Sequence, residues 1–304
     1  MSYNKKIKYL NVDRSKLQRV TNHDQTKKGL AVIMDEIFDR KIHGISFSPY
    51  LEDQNPDLIS QITEKQIRER LEVIKSYTSW IRTFSCTNGN ENTPRIAHEM
   101  GMKTLVGAWL GEDLEQNEKE LANAIEIARQ GYVDILAVGN EVLLREDLEV
   151  EALIGYINRA KAALPGIQVG YVDAYYTFSN YPEVADACDV ILANCYPFWE
   201  YCSLETAVDY MKHMYKLASS VAKGKKVIIS ETGWPSKGSR FGDAVPSVKN
   251  AMDYFIQINQ WTQAENIDLF YFSSFDEVWK IGKEGEYGAY WGLWDKDGKY
   301  KFKY

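Results

Sequence analysis

Eight short β-rich runs recur along this chain, and helical patterns separate most of them. Several runs are continuously apolar, as in Val227-Ile228-Ile229 and Val190-Ile191-Leu192, which is typical of strands buried on both faces of a parallel sheet. The runs occupy residues 42–47, 80–85, 103–108, 135–139, 168–172, 190–194, 226–230 and 269–273. Because strands alternate with helices, the pattern indicates βαβ units.

The stretches between the runs carry apolar residues three or four positions apart, with charged residues between them. They predict helices over residues 64–76, 118–130, 148–163 and 204–222, and another over 30–40. We therefore predict an α/β protein: a single (β/α)8 TIM barrel over residues 42–304 and an N-terminal helical extension over 1–41 that packs on it. A doubly wound open sheet is the alternative, but no GxGxxG or GxxxxGK motif follows the first run.

Composition narrows the range of partners. The chain has 43 acidic and 36 basic residues, a net charge of −7, so we expect no binding to nucleic acid or anionic membranes. No apolar run approaches the roughly 18 residues of a transmembrane helix. The 20 tyrosines and 8 tryptophans either fill a large core or offer flat platforms, and the acidic charge favours neutral sugars as their ligands.

The cysteines and histidines predict no cofactor site. The four cysteines form no CxxC pair, and the four histidines are scattered, so we expect no metal site. The first residues lack the apolar core of a leader peptide. We expect a cytoplasmic protein if the chain is complete as given, and a secreted or periplasmic one if a leader has been removed.

Two carboxylates directly follow apolar runs, Glu141 after the fourth and Glu231 after the seventh. Such a position is costly unless the group is used or paired, although either residue alone could be a helix cap or a rim ion pair. In a (β/α)8 barrel both would face one cavity at the carboxyl-terminal face, where catalytic groups lie. Two facing carboxylates suit glycoside hydrolysis, and a retaining mechanism predicts about 5 to 5.5 Å between them.

Further segments near the strand ends extend this pattern. Together with Gly139-Asn140-Glu141 and the seven residues 230–236, they are Ser48-Pro49-Tyr50, 81–85, 106–111, 194–199, 275–280 and Trp291-Gly292-Leu293. In this order they resemble glycoside hydrolase family 17, the β-1,3-glucanase family of retaining (β/α)8 glycosidases. The likeness is closer to bacterial than to plant members. Ser273 departs from the pattern, because the family would have a carboxylate near that position.

The resemblance implies roles for the matched residues. Glu141 would be the general acid/base and Glu231 the nucleophile. Asn140 would bond the 2-hydroxyl of the sugar, while Arg82 and Tyr196 would bond or flank Glu231. The other predicted substrate-binding residues are the strand-end aromatics Phe198, Trp199 and Trp234, and Glu277 and Lys280 near the eighth run.

Together with the two carboxylates, this resemblance implies a monomeric, retaining, endo-acting hydrolase that cleaves laminarin-type β-1,3-glucan polysaccharides or oligosaccharides without a metal or organic cofactor. One alternative is a β-1,3-glucanosyltransferase that uses the same two carboxylates. The other is a non-catalytic glucan-binding barrel, which should have lost a carboxylate. Asp173, after the fifth run, is either a substrate contact or a helix-cap or rim residue, and Arg145 is expected to be a solvated loop charge or a helix-start charge.

Overall fold

The computed structural model of this chain describes residues 12–20, 25–58 and 60–304. Eight parallel strands pair in sequence order, and the first also pairs with the last, so the sheet closes into a barrel. The strands are β1 (Ile42–Ser46), β2 (Thr78–Arg82), β3 (Lys103–Ala108), β4 (Ile135–Asn140), β5 (Gln168–Ala174), β6 (Val190–Asn194), β7 (Lys226–Thr232) and β8 (Leu269–Tyr271). Each predicted run forms one strand, and the predicted (β/α)8 barrel is confirmed.

The described helices alternate with these strands. They are α1 (Lys27–Asp39), α2 (Glu64–Ile74), α3 (Thr93–Glu99), α4 (Leu114–Arg129), α5 (Val142–Arg145), α6 (Val150–Ala163), α7 (Thr177–Asn180), α8 (Pro182–Ala187), α9 (Leu204–Ser220), α10 (Val248–Ala264) and α11 (Ile281–Glu284). The fourth helix begins before the predicted residue 118 because Asp113 caps it, accepting a hydrogen bond from the Gln116 N–H at 3.1 Å.

The core has two layers, because successive side chains of a strand point alternately into the barrel and outward to the helices. One set of buried strand residues packs only with other strand residues and fills the barrel interior: Leu105, Ile135, Ala137, Val172, Val190, Leu192, Ile228 and Phe270. The residues between them, such as Leu136 and Ile191, belong to the larger cluster that includes the buried faces of the helices. Because Arg82 is in register with Leu105, its side chain points into the barrel interior.

The described part of the N-terminal extension contacts the barrel at two places. The helix α1 lies beside α10, with the rings of Phe38 and Phe255 5.2 Å apart. Upstream, the Val20 N–H donates to the Glu205 carbonyl at 2.8 Å, and Leu17 is buried. Residues 1–11 and 21–24 of the predicted extension lie outside the described residues. The division of the chain at residue 41 stays a prediction.

Within the described ranges, every helix is too short or too polar to cross a lipid bilayer.

Candidate active site

Glu141 follows a bulge at the end of β4. The register with β5 shifts between Ala137 and Asn140. Gly139 has a φ of 87°, and a Cβ there would lie 2.8 Å from Val142 Cγ2, so the bulge requires glycine. Glu141 itself has a φ of 52°, a left-handed conformation that costs a non-glycine residue about 1–2 kcal/mol. The strand end is therefore bent at the residue that carries the carboxyl group.

Glu231 lies in a second irregular strand end. The pairing of β7 shifts register on both sides, against β6 and against β8. Two residues later, a Cβ on Gly233 would lie 2.1 Å from the Phe272 carbonyl oxygen, so only glycine allows these two backbone segments to come this close. Bulges of this kind re-aim side chains at barrel rims.

Arg82 joins the ends of β4 and β7. Its Nη1 lies 2.5 Å from Glu231 Oε1, and its Nη2 donates to Asn140 Oδ1 at 2.6 Å. The hydroxyl of Tyr196 donates to the other carboxylate oxygen, Glu231 Oε2, at 2.7 Å. Each oxygen of Glu231 thus accepts a hydrogen bond, one of them from a buried cation. The two donors fix the orientation of this carboxylate.

The carboxyl group of Glu141 has different neighbours. Its Oε1 accepts a hydrogen bond from Asn194 Nδ2 at 2.9 Å, and Asn194 Oδ1 in turn accepts one from the Ser230 hydroxyl at 2.8 Å. Burial, followed by the negative charges of Glu231 and Asp173, raises the pKa of Glu141 to about 8. Glu141 therefore carries a proton at neutral pH.

Arg145 is more buried than the sequence predicted. Its guanidinium group donates to the carbonyl oxygens of Asn140 and Leu110, pairs with Asp147 at 2.7 Å, and lies over the Trp109 ring at 4.4 Å. Its side chain is only 7% exposed, so the prediction of a solvated charge is wrong. The carbonyl groups left unpaired where the strands end account for this burial.

Glu277 and Lys280 lie past the end of β8. They form an ion pair of 2.6 Å, and both side chains are almost fully buried. The ammonium group of Lys280 lies 4.1 Å from the centre of the Phe272 ring, and the charge of Glu231 is among those that raise its pKa. The pair therefore lies on the Glu231 side of the site.

The predicted aromatic residues separate into two groups. Tyr196 and Trp199 are partly exposed. Phe198 is 0% and Trp234 is 1% exposed, their rings pack 5.3 Å apart, and Trp234 Nε1 donates to the Val245 carbonyl at 3.0 Å. A sugar cannot stack on a ring that is already covered on all sides. The expectation that Phe198 and Trp234 contact substrate is therefore corrected: Phe198 packs against both Trp199 and Trp234.

The sequence analysis gave no role to two polar residues near Glu141: Asn194, which bonds its carboxyl group, and Ser230, which bonds Asn194. Their position could have predicted a role in the site, because each residue ends an apolar run of buried residues. Among the described residues, no group of three or more His, Cys, Asp or Glu side chains is arranged to hold a metal ion.

A closed parallel barrel with two carboxyl groups in contrasting environments at the carboxyl-terminal strand ends has the architecture of the barrel glycosidases. The chain belongs to glycoside hydrolase family 17, and the BtgE/BtgC glycoside hydrolase domain matches its residues 44–292.

Similar proteins come from several organisms. Glucan 1,3-beta-glucosidase BGL2 of Candida albicans is 30% identical over 260 residues, which cover 76% of this chain and 83% of that protein. The structure of the family 17 β-1,3-glucanosyltransferase of Rhizomucor miehei is 30% identical, with a TM-score of 0.77, covering 86% of this chain and 96% of that one. An endo-laminarinase from Formosa has a TM-score of 0.72 at 21% identity, covering 88% of this chain and 86% of that one, and shows likeness of fold. The closer likeness to bacterial members stays an expectation.

Proposed function

We propose that this glycosidase cleaves β-1,3-glucan with retention of configuration, with Glu141 as the general acid/base and Glu231 as the nucleophile. One observation carries the proposal: the two carboxyl groups stand in opposite environments. Burial and negative neighbours raise the pKa of Glu141 to about 8, whereas Glu231 contacts the guanidinium group of Arg82. The names of the Candida and Rhizomucor relatives support β-1,3-glucan as the substrate.

In the first step, protonated Glu141 donates its proton to the glycosidic oxygen. Glu231 attacks the anomeric carbon, the bond to the leaving sugar breaks, and a covalent glycosyl-enzyme forms. Arg82 and Tyr196 orient the attacking carboxylate through one hydrogen bond to each oxygen. This fixed orientation lowers the entropy cost of reaching the transition state.

In the second step, ionised Glu141 accepts a proton from water while the water oxygen attacks the anomeric carbon. The bond to Glu231 breaks, and the sugar leaves with its original configuration. Asn194, which donates to Glu141 at 2.9 Å, stabilises the anion that forms transiently here.

The surrounding residues bind the sugar. Asn140 uses its Oδ1 to accept a hydrogen bond from Arg82, and we expect its amide nitrogen to donate to the 2-hydroxyl of the sugar at the cleavage point. Trp199 and Tyr196 offer partly exposed aromatic surface, and the Glu277–Lys280 pair lines the Glu231 side. The charged pair selects hydroxyl groups that can both donate and accept hydrogen bonds.

A second candidate function is glucanosyl transfer, which the Rhizomucor enzyme's name favours. Hydrolysis and transfer share the glycosyl-enzyme and differ in what attacks it. Transfer requires an acceptor glucan that binds well enough to exclude water. Trp199, on the loop after β6, offers a partly exposed ring on which such an acceptor would stack.

The experiment is to incubate the protein with laminari-oligosaccharides and follow chain length over time, with Glu231→Ala as the inactive control. Hydrolysis yields only shorter products, and internal cuts without early glucose release support endo action. Accumulation of products longer than the starting oligosaccharide supports transfer instead. If the folded protein consumes none of the oligosaccharide, the proposed activity is wrong.

A further inference from the structure

The short helix α5 begins directly after Glu141 but is not capped by it. Glu141 is the N-cap residue of α5, yet its side chain makes no capping hydrogen bond because its carboxyl group is directed to Asn194. The first N–H groups of a helix need acceptors. Here β5 supplies them: the Leu143 N–H donates to the Tyr171 hydroxyl at 2.9 Å, and the Leu144 N–H bonds the Asp173 carboxylate.

The carboxylate of Asp173 accepts hydrogen bonds from several other groups besides the helix α5. It is completely buried. Its Oδ1 accepts hydrogen bonds from the Ala174 N–H at 2.7 Å and the Thr177 hydroxyl at 3.0 Å, and its Oδ2 accepts one from the Tyr171 hydroxyl. A buried carboxylate with this many donors has one orientation. Tyr171 and Asp173 therefore form a rigid support for the turn that follows Glu141.

We propose that Asp173 is a positioning residue for Glu141: with Tyr171 it fastens the turn after Glu141 to β5, and it places a second negative charge, besides that of Glu231, near the acid/base group. The inference rests on the proposed function, because it assigns Asp173 to the same reaction. It also decides between the two roles that the sequence left open for Asp173, in favour of a cap over a substrate contact.

The charges facing Glu141 come from several strands. Glu231 from β7 and Asp173 from β5 favour its protonated form, whereas Arg145 at the end of α5 and the amide of Asn194 favour the anion. Burial raises the pKa of Asp173 to about 6, below the value of about 8 for Glu141. As the pH rises, Asp173 therefore ionises first, and between about pH 6 and 8 its charge helps to keep the proton on Glu141.

The principal test is Asp173→Asn, which removes the charge and keeps an oxygen acceptor. We expect kcat on laminarin to fall about 10-fold or more, with little change in KM, and the basic limb of the pH profile to move down by about half a unit or more. The matched control is Asp253→Asn, a buried Asp-to-Asn change on α10. It should leave the pH profile unchanged.

A second variant separates positioning from charge and remains informative if Asp173→Asn fails to fold. Tyr171→Phe keeps Asp173 and removes the acceptor of the Leu143 N–H. We expect a lower kcat/KM on laminarin and a smaller loss of kcat/KM on an aryl β-glucoside, because kcat/KM reports the first step and an activated leaving group needs no proton from Glu141 in that step. A purely structural role would lower both rates equally.

Wild-type kcat and pH profile in a folded Asp173→Asn variant would overturn the inference, as would equal losses on both substrates in Tyr171→Phe. Failure of the proposed function has a different signature, which is full activity of Glu141→Gln on laminarin. If Glu141→Gln is inactive while Asp173→Asn behaves as wild type, only the inference about Asp173 fails.

Discussion

Arg82 contacts Glu231 through a buried ion pair in the barrel interior, with 2.5 Å between Arg82 Nη1 and Glu231 Oε1. The same guanidinium group holds Asn140 through its other terminal nitrogen. One arginine therefore sets the relative position of the ends of β4 and β7, which carry the two carboxylates. The fork geometry of arginine is needed, because a lysine ammonium group is a single point charge.

Arg82→Lys should keep the charge but lose one of the two hydrogen bonds. We expect kcat/KM on laminarin to fall about 100-fold, since the nucleophile and Asn140 lose their common support. The control is Arg159→Lys, which alters an Arg–Glu pair that is exposed on the surface. It should leave kcat/KM unchanged, and an Arg82→Lys variant as active as this control would contradict the account.

Glu231→Ala should lower activity by several orders of magnitude, because no oxygen remains to form the glycosyl-enzyme. Added azide should restore turnover of an activated β-glucoside and give the α-glucosyl azide, since a small anion fits where the carboxylate stood. Assays would follow the release of the activated leaving group with and without azide. Retention of more than about a tenth of wild-type activity would mean that the nucleophile is another group.

The activity should depend on the proton of Glu141. Because the pKa of Glu141 is raised to about 8, the group is protonated below that pH and loses its proton above it. We therefore expect kcat/KM to fall as the pH rises through about 8. Glu141→Gln should abolish turnover of laminarin and should spare the first step on a substrate with an activated leaving group. A basic limb near pH 5 in the wild-type protein would be incompatible with a protonated Glu141 at neutral pH.

Phe198 and Trp199 are neighbours with opposite expected effects. Phe198→Ala removes a completely buried ring from the cluster around Trp234, so the free energy of unfolding should fall by about 3–5 kcal/mol. Trp199→Ala, at a partly exposed position, should mainly raise KM for laminari-oligosaccharides. Urea denaturation and steady-state kinetics on both variants would measure this. A raised KM with unchanged stability in Phe198→Ala would contradict the assignment of that ring to the core.

The barrel could be predicted from the sequence because its strands are buried on both faces and therefore appear as short apolar runs. Glu141 and Glu231 stood out for the same reason, since each is a charged residue at the end of such a run. The sequence could not distinguish Trp199 from Phe198, because adjacent aromatic residues in a loop carry no periodicity that reveals which ring is covered.

The residues that support the turn at Glu141 were harder to predict. Tyr171 lies within an apolar run and looks like an ordinary core residue, and its hydroxyl acquires a role only because a bulge brings the turn after Glu141 within hydrogen-bonding distance. Arg145 looked like a loop charge because the unpaired carbonyl groups it satisfies come from separate segments of the chain. Both depend on contacts between neighbouring strand ends, which no local pattern encodes.

The anomeric configuration of the first product tests the central claim most directly. Proton NMR during early hydrolysis of a reduced-end laminari-oligosaccharide by the wild-type protein distinguishes the two anomers before they interconvert. Two successive displacements, by Glu231 and then by water, predict that the β anomer appears first and the α anomer only later through mutarotation. Initial appearance of the α anomer would show a single inverting displacement and contradict the role of Glu231 as nucleophile.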